Sequence, residues 1–159
     1  MRIGEIAIVG PDSDEKRQFI ESMAHSVEII NNTLTFGQFF VNKQFVIHLY
    51  GIALPSEVES MSWDLIAPKL MGYITIFKWG DSNSFRQTQK LVDEINSKYD
   101  STIIVAGHSD SSAPVPAKIF QNGFPIEKKG VFTFCNVNDP ASVKKVLLTL
   151  VDSIILRSK

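Results

Sequence analysis

The chain predicts an α/β domain in three layers, with a six-stranded, mostly parallel sheet covered by about five helices. Three observations carry this. Short apolar runs alternate with helical patterns along the 159 residues. The runs are continuously apolar, IAIV at 6–9 and TIIVA at 102–106 among them, as strands buried on both faces are. One pair of runs is joined too tightly for anything but an antiparallel hairpin. No linker, repeat or low-complexity segment divides the chain, so 1–159 reads as a single domain.

The first strand is IGEIAIVG (3–10). A helix follows, with Phe19, Ile20, Met23 and Val27 on one face. TLTFGQFFVNK (33–43) and QFVIHLY (44–50) form the hairpin, as second and third strands. SEVESMSWDLI (56–66) reads as a second helix, opened by Pro55 and Ser56 with Glu59 at capping-box spacing. YITIFKW (73–79) is a strand, and SFRQTQKLVDEINSKY (84–99) a helix with Phe85, Thr88, Leu91, Ile95 and Tyr99 on one side. TIIVAG (102–107) is another buried strand. PVPAKIFQNGF (114–124) holds a short helix between its prolines and Gly123, and VFTFC (131–135) is the last strand. The final helix is the clearest. Val143, Val146, Leu147, Leu150, Val151, Ile154 and Ile155 make an unbroken stripe, with Asp139 as N-cap and Pro140 as first helical residue.

Sixteen basic and seventeen acidic residues leave a net charge of -1, which points to neither a nucleic-acid nor a membrane partner. No apolar run approaches the ~20 residues of a membrane span. Glu5 interrupts MRIGEIAIVG too early for a signal peptide, so a cytoplasmic protein is expected. A single cysteine, Cys135, excludes an internal disulfide and reads as a small buried hydrophobe within VFTFC. His25, His48 and His108 share no metal spacing, no metal site is expected, and no nucleophile motif is present.

In such a sheet, ligands bind beyond the carboxyl ends of the strands. That rim comprises GPDSDEKR (10–17), GIALPSE (51–57), WGDSNS (79–84), GHSD (107–110) and NVND (136–139). The order of elements, with its early hairpin, resembles the Ras-like small GTPase fold, a P-loop-NTPase-like G domain. It looks most like the prokaryotic gliding-motility-type branch, whose members pair with roadblock-type proteins. The similarity covers nearly the whole chain, mainly in layout and apolar segments.

The family's phosphate loop is G-x-x-x-x-G-K-[ST]. Gly10 matches its first glycine and Lys16 its lysine, whereas Glu15 replaces the second glycine and Arg17 the metal-binding hydroxyl. A carboxylate there crowds and repels phosphate: two unit charges ~4 Å apart at an effective dielectric near 20 repel by about 4 kcal/mol. Arg17 removes a metal ligand, though its guanidinium can stand in for part of the Mg²⁺ charge. Asp12 or Ser13 capping the first helix, with Lys16 and Arg17 solvated, is the competing structural expectation. After the third strand, 51–57 lacks the glycine and glutamine that would meet a γ-phosphate and water, and Pro55 lacks an N–H. The base-recognition motif falls on Gly107, His108, Ser109 and Asp110, and only Asp110 is kept. The last motif falls on Cys135, Asn136 and Val137, a permissive place because a backbone N–H makes most of the contact. Asn31, Asn32, Thr33 and Thr35 cover the early switch, and nothing selects one of them.

The resemblance therefore implies a degenerate small-GTPase-like (pseudoGTPase) module, regulatory or scaffolding, acting through protein contacts with little or no GTP hydrolysis. Its expected partner is a roadblock-type protein or a second copy of the chain. No resident cofactor or Mg²⁺ is expected. The alternative is a guanine-nucleotide switch that holds GTP or GDP through Gly10, Lys16, Arg17 and Asp110. A receiver-like phosphorelay module is disfavoured, because Tyr50 and Gly51 stand where its aspartate belongs. Phe36, Phe39 and Phe40 mark the expected interface. Phe39 and Phe40 point to opposite faces, and the hairpin strand is expected at the sheet edge, where cover is thinnest.

Overall fold

The computed structural model describes residues 2–10, 13–31, 34–52, 70–79, 81–98, 102–108 and 130–157. They form β1 (Arg2–Val9), α1 (Ser13–Met23), β2 (Ser26–Asn31), β3 (Leu34–Asn42), β4 (Phe45–Ile52), β5 (Gly72–Lys78), α2 (Ser82–Lys98), β6 (Thr102–His108), β7 (Gly130–Cys135) and α3 (Pro140–Arg157). All seven strands join one sheet in the order β2-β3-β4-β1-β5-β6-β7. β2–β3 and β3–β4 are antiparallel, and the four remaining pairings are parallel.

This corrects the expected fold class. The sheet has seven strands and is mixed, where a six-stranded, mostly parallel, five-helix Ras-like layout was expected. Three helices are present among the described residues. The expected helices at 56–66 and 114–124 lie outside those residues.

The added strand is β2, which the helical pattern had absorbed through Val27. α1 stops at Met23, where Ala24 N–H closes the last turn on Ile20 O at 2.9 Å. Beyond it, VEII carries three β-branched side chains, which lose χ1 freedom in a helix and fit a pleated strand. The register then runs Val27 to Gly37, Glu28 to Phe36 and Ile29 to Thr35. Among the described residues β2 is consequently the sheet edge. β3, expected there, lies inside between β2 and β4.

α1 and α3 cover one face. Ile6, Ile8, Ile74, Ile76 and Ile104 point from the sheet into the same core cluster as Phe19, Ile20, Val143, Leu147 and Leu150 from the two helices. α2 packs on β5 from the other face, where strand alternation puts Tyr73, Thr75 and Phe77, and Phe85 meets Phe77 at 5.8 Å. The starts of α2 and α3 are each capped by aspartate. Asp81 Oδ1 accepts Asn83 and Ser84 N–H at 3.0 Å each, and Asp139 Oδ1 accepts Ala141 N–H at 3.1 Å. Among the described residues no helix is long and apolar enough to cross a membrane.

Candidate functional site

The carboxyl ends of β1, β4, β5, β6 and β7 share one rim, as parallel pairing requires. There β1 passes into Gly10, with φ at +154°. A Cβ built there would lie 2.2 Å from the carbonyl oxygen of Ile76 on β5. Only glycine satisfies both conditions, whether or not a phosphate is ever bound.

Lys16 sits in the early part of α1 and is 5% exposed, with Glu15 beside it at 8%. Neither is a solvated side chain, contrary to the structural expectation for Lys16. Residues 15, 16, 19, 20 and 23 make the buried stripe of α1 at i, i+3, i+4 spacing. Arg17 falls outside that stripe. Its guanidinium lies 3.2 Å from Asp14 and 3.7 Å from Glu21, one turn either way along the exposed side of the helix. The structure therefore sends Lys16 inward and Arg17 outward, and does not bring the two cations together. Asp14 and Glu15 also place two acidic residues in the first turn, where helix N–H groups favour negative charge. A phosphate approaching that terminus would meet their negative charge.

The turn between β7 and α3 is closed by internal bonds. Asn136 N–H donates to Ser142 Oγ at 3.0 Å, Val137 N–H to His108 Nδ1 at 3.2 Å, and Asn138 N–H to Asn136 Oδ1 at 3.0 Å. Ser22 of α1 donates to the carbonyl of Val137, joining α1 to the β7–α3 turn. The His108 carbonyl in turn accepts Trp79 N–H at 2.9 Å. The N–H donors of the last motif are thus committed within the chain, and the His108 ring is held by one of them.

Gly107, where the resemblance calls for asparagine, lies under aromatic rings. An added Cβ would come to 3.2 Å from Trp79 and 3.4 Å from both Phe134 and Phe77. Trp79 packs edge-on to Phe134 at 4.6 Å and tilted to Phe77 at 6.2 Å. Ring packing fills the space an asparagine side chain would need. Asp110, Asn32 and Thr33 lie outside the described residues. Thr35 is buried within β3 opposite Gly51.

The interface residues separate. Phe39 is 8% exposed, within the cluster beneath α1 and α3, whereas Phe40 on the opposite face is 42% exposed. Phe36 is half-buried and stacks on Tyr50 at 5.3 Å. Tyr50 OH donates to Glu5 at 2.9 Å, and burial, then that bond and the carboxylate charge, push its pKa up to about 12.

Ser22, Ser142 and the ring packing of Trp79 were missed by sequence reasoning. Ser22 lies 115 positions from Val137, and no spacing rule joins a helix serine to a distant turn. Trp79 was read as the end of a strand and the start of a rim loop, with no ring partner assigned to it. Among the described residues no group of three or more His, Cys, Asp or Glu side chains is placed to hold a metal ion. No protein-family model matches the chain, and no curated protein sequence matches it.

Proposed function

We propose that the chain is a small-GTPase-like regulatory or scaffolding module that works through protein contacts, with little or no GTP hydrolysis. The observation that carries this reading is the internal use of the rim's N–H donors. Asn136 and Val137 would offer their N–H groups to a guanine base, and they bond instead to Ser142 and His108. Taking either N–H for a base would break a hydrogen bond that the fold already makes, which contributes about 0.5–1.5 kcal/mol net. The outward turn of Arg17 and the acidic first turn of α1 support the same reading on the phosphate side. The partner it implies is a roadblock-type protein or a second copy of the chain.

A second reading, a guanine-nucleotide switch, is favoured by one feature. Gly10 makes the required turn, and Lys16 is held at the start of the following helix rather than in solvent. Thermal melting with and without millimolar GTP, GDP or ATP and Mg²⁺ separates the two. The module reading expects unchanged melting with all three. A ligand at 100 times its Kd would stabilise the fold by about 2.7 kcal/mol. Such a shift with guanine nucleotides, lost in Lys16→Ala measured against its own ligand-free melt, overturns the module reading.

A further inference from the structure

We propose that the free edge of β2 receives an extended, basic segment of a partner protein, which adds to the sheet as an eighth strand. This rests on the protein-contact reading above and gives it a place and a chemistry. Among the described residues β2 pairs with β3 along one side only and lies outermost in the sheet. Its sequence, SVEIIN, has none of the lysines or prolines that commonly guard an open edge. Val27 and Ile29, 37% and 56% exposed, point to one face, while the exposed Glu28 points to the other.

The Glu28 face is acidic and aromatic. Across the register Glu28 stands beside Phe36, which stacks on Tyr50, and Tyr50 is bonded to Glu5. Phe40, further along β3, is exposed on the same face. Among the described residues of β1 to β4, alternation puts two carboxylates and no lysine or arginine on this face. A partner strand with Lys or Arg at alternate positions would bring cations to Glu28 and to the Phe36 ring. Its intervening apolar side chains would cover Val27 and Ile29.

Charge favours such a partner over a second copy. The antiparallel self-pairing that sets Val27 against Ile29 also sets Glu28 against Glu28, and like charges directly opposite destabilise a sheet. The edge is also fixed in advance. His25 N–H donates to Gln38 O at 2.8 Å and Phe40 N–H donates to His25 Nδ1 at 3.0 Å, anchoring the start of β2 on β3. Less ordering is then left to occur on binding.

Three labelled peptides test this by fluorescence anisotropy on the full chain at low salt. One alternates valine with arginine and lysine, one alternates valine with glutamate, and one has the composition of the first with the alternation broken. The alternating basic peptide is expected to bind at least tenfold more tightly than either control and to shift the β2 amide resonances. Glu28→Lys, an exposed change, is expected to reverse the preference between the basic and acidic peptides. Equal binding of the two basic peptides, indifference to Glu28→Lys, or no binding overturns the proposal. So does a dimer seen by light scattering that Ile29→Lys abolishes, because the edge would then be taken by a second copy. A nucleotide-induced melting shift would strike the module reading and leave the peptide result standing. Peptide failure would remove this edge and leave the melting result standing.

Discussion

At Gly10 the chain leaves β1 with φ at +154°, and an added Cβ would lie 2.2 Å from Ile76 O. Gly10→Ala is expected to destabilise the fold on the order of 3 kcal/mol, from backbone strain and a clash with main chain that cannot move aside. Urea denaturation measures it, and a loss below ~1 kcal/mol would contradict the geometry. The same demand alters what the residue says about function. A glycine forced by the backbone matches the phosphate-loop motif without needing phosphate to explain it. Arg17 gives the complementary case. From sequence it stands next to Lys16 and invites a shared role, yet ~100° of helical rotation separates neighbouring residues. Arg17 accordingly meets Asp14 and Glu21, while Lys16 is buried. Phe39 and Phe40 were correctly read as pointing apart. Which of them is exposed depended on α1 and α3 covering one face of β3.

Among the elements, α3 was the most legible. Its Pro140 start, the Asp139 cap before it and the stripe through Val143, Val146, Leu147 and Leu150 are all found. Val143, Leu147 and Leu150 are each fully buried. Leu147→Ala is expected to cost about 2–5 kcal/mol, the range for a cavity in a close-packed core. Asp139→Ala is expected to cost only about 1 kcal/mol, the value of one N-cap. Thermal melting of both variants checks the order, and a cap loss equal to the core loss would contradict this account of α3. β2 was the least legible. Val27 lies four residues after Met23 and fits a helical face as well as it fits a strand. A short segment at a helix end offers too few turns for periodicity to decide. Pairing with β3 decides it, through hydrogen bonds to a strand that lies later in the chain.

For the whole molecule, the buried Cys135 thiol and the half-buried Tyr50 phenol tie stability to alkaline pH. Burial pushes the Cys135 thiol up from 9.0 to about 11, against a hydrogen bond with Ser142 that lowers it and with the charge of Asp139 adding to the rise. Tyr50 moves in the same direction, from 10.0 to about 12. Both groups are charged only when deprotonated, and both hold their protons more tightly folded than unfolded. Their stabilisation is therefore complete below about pH 9 and is lost as pH rises through 11 to 12. For Cys135, two pKa units correspond to at most about 2.7 kcal/mol. Urea denaturation between pH 8 and 11 is expected to show stability falling above pH 9, with a shallower fall in Cys135→Ala. Equal slopes in the two proteins would remove Cys135 from the account. Residue order by itself determined the α/β class, the parallel-strand runs and the stripe of α3, because these depend on periodicities of two and 3.6 carried by near neighbours. Tertiary structure alone decided that the sheet has a seventh strand, that β2 is its edge, and that Ser142 and His108 occupy the rim's N–H donors. Those outcomes rest on pairings across the sheet and between distant turns, where energy depends on which surfaces meet and no local pattern records the partner.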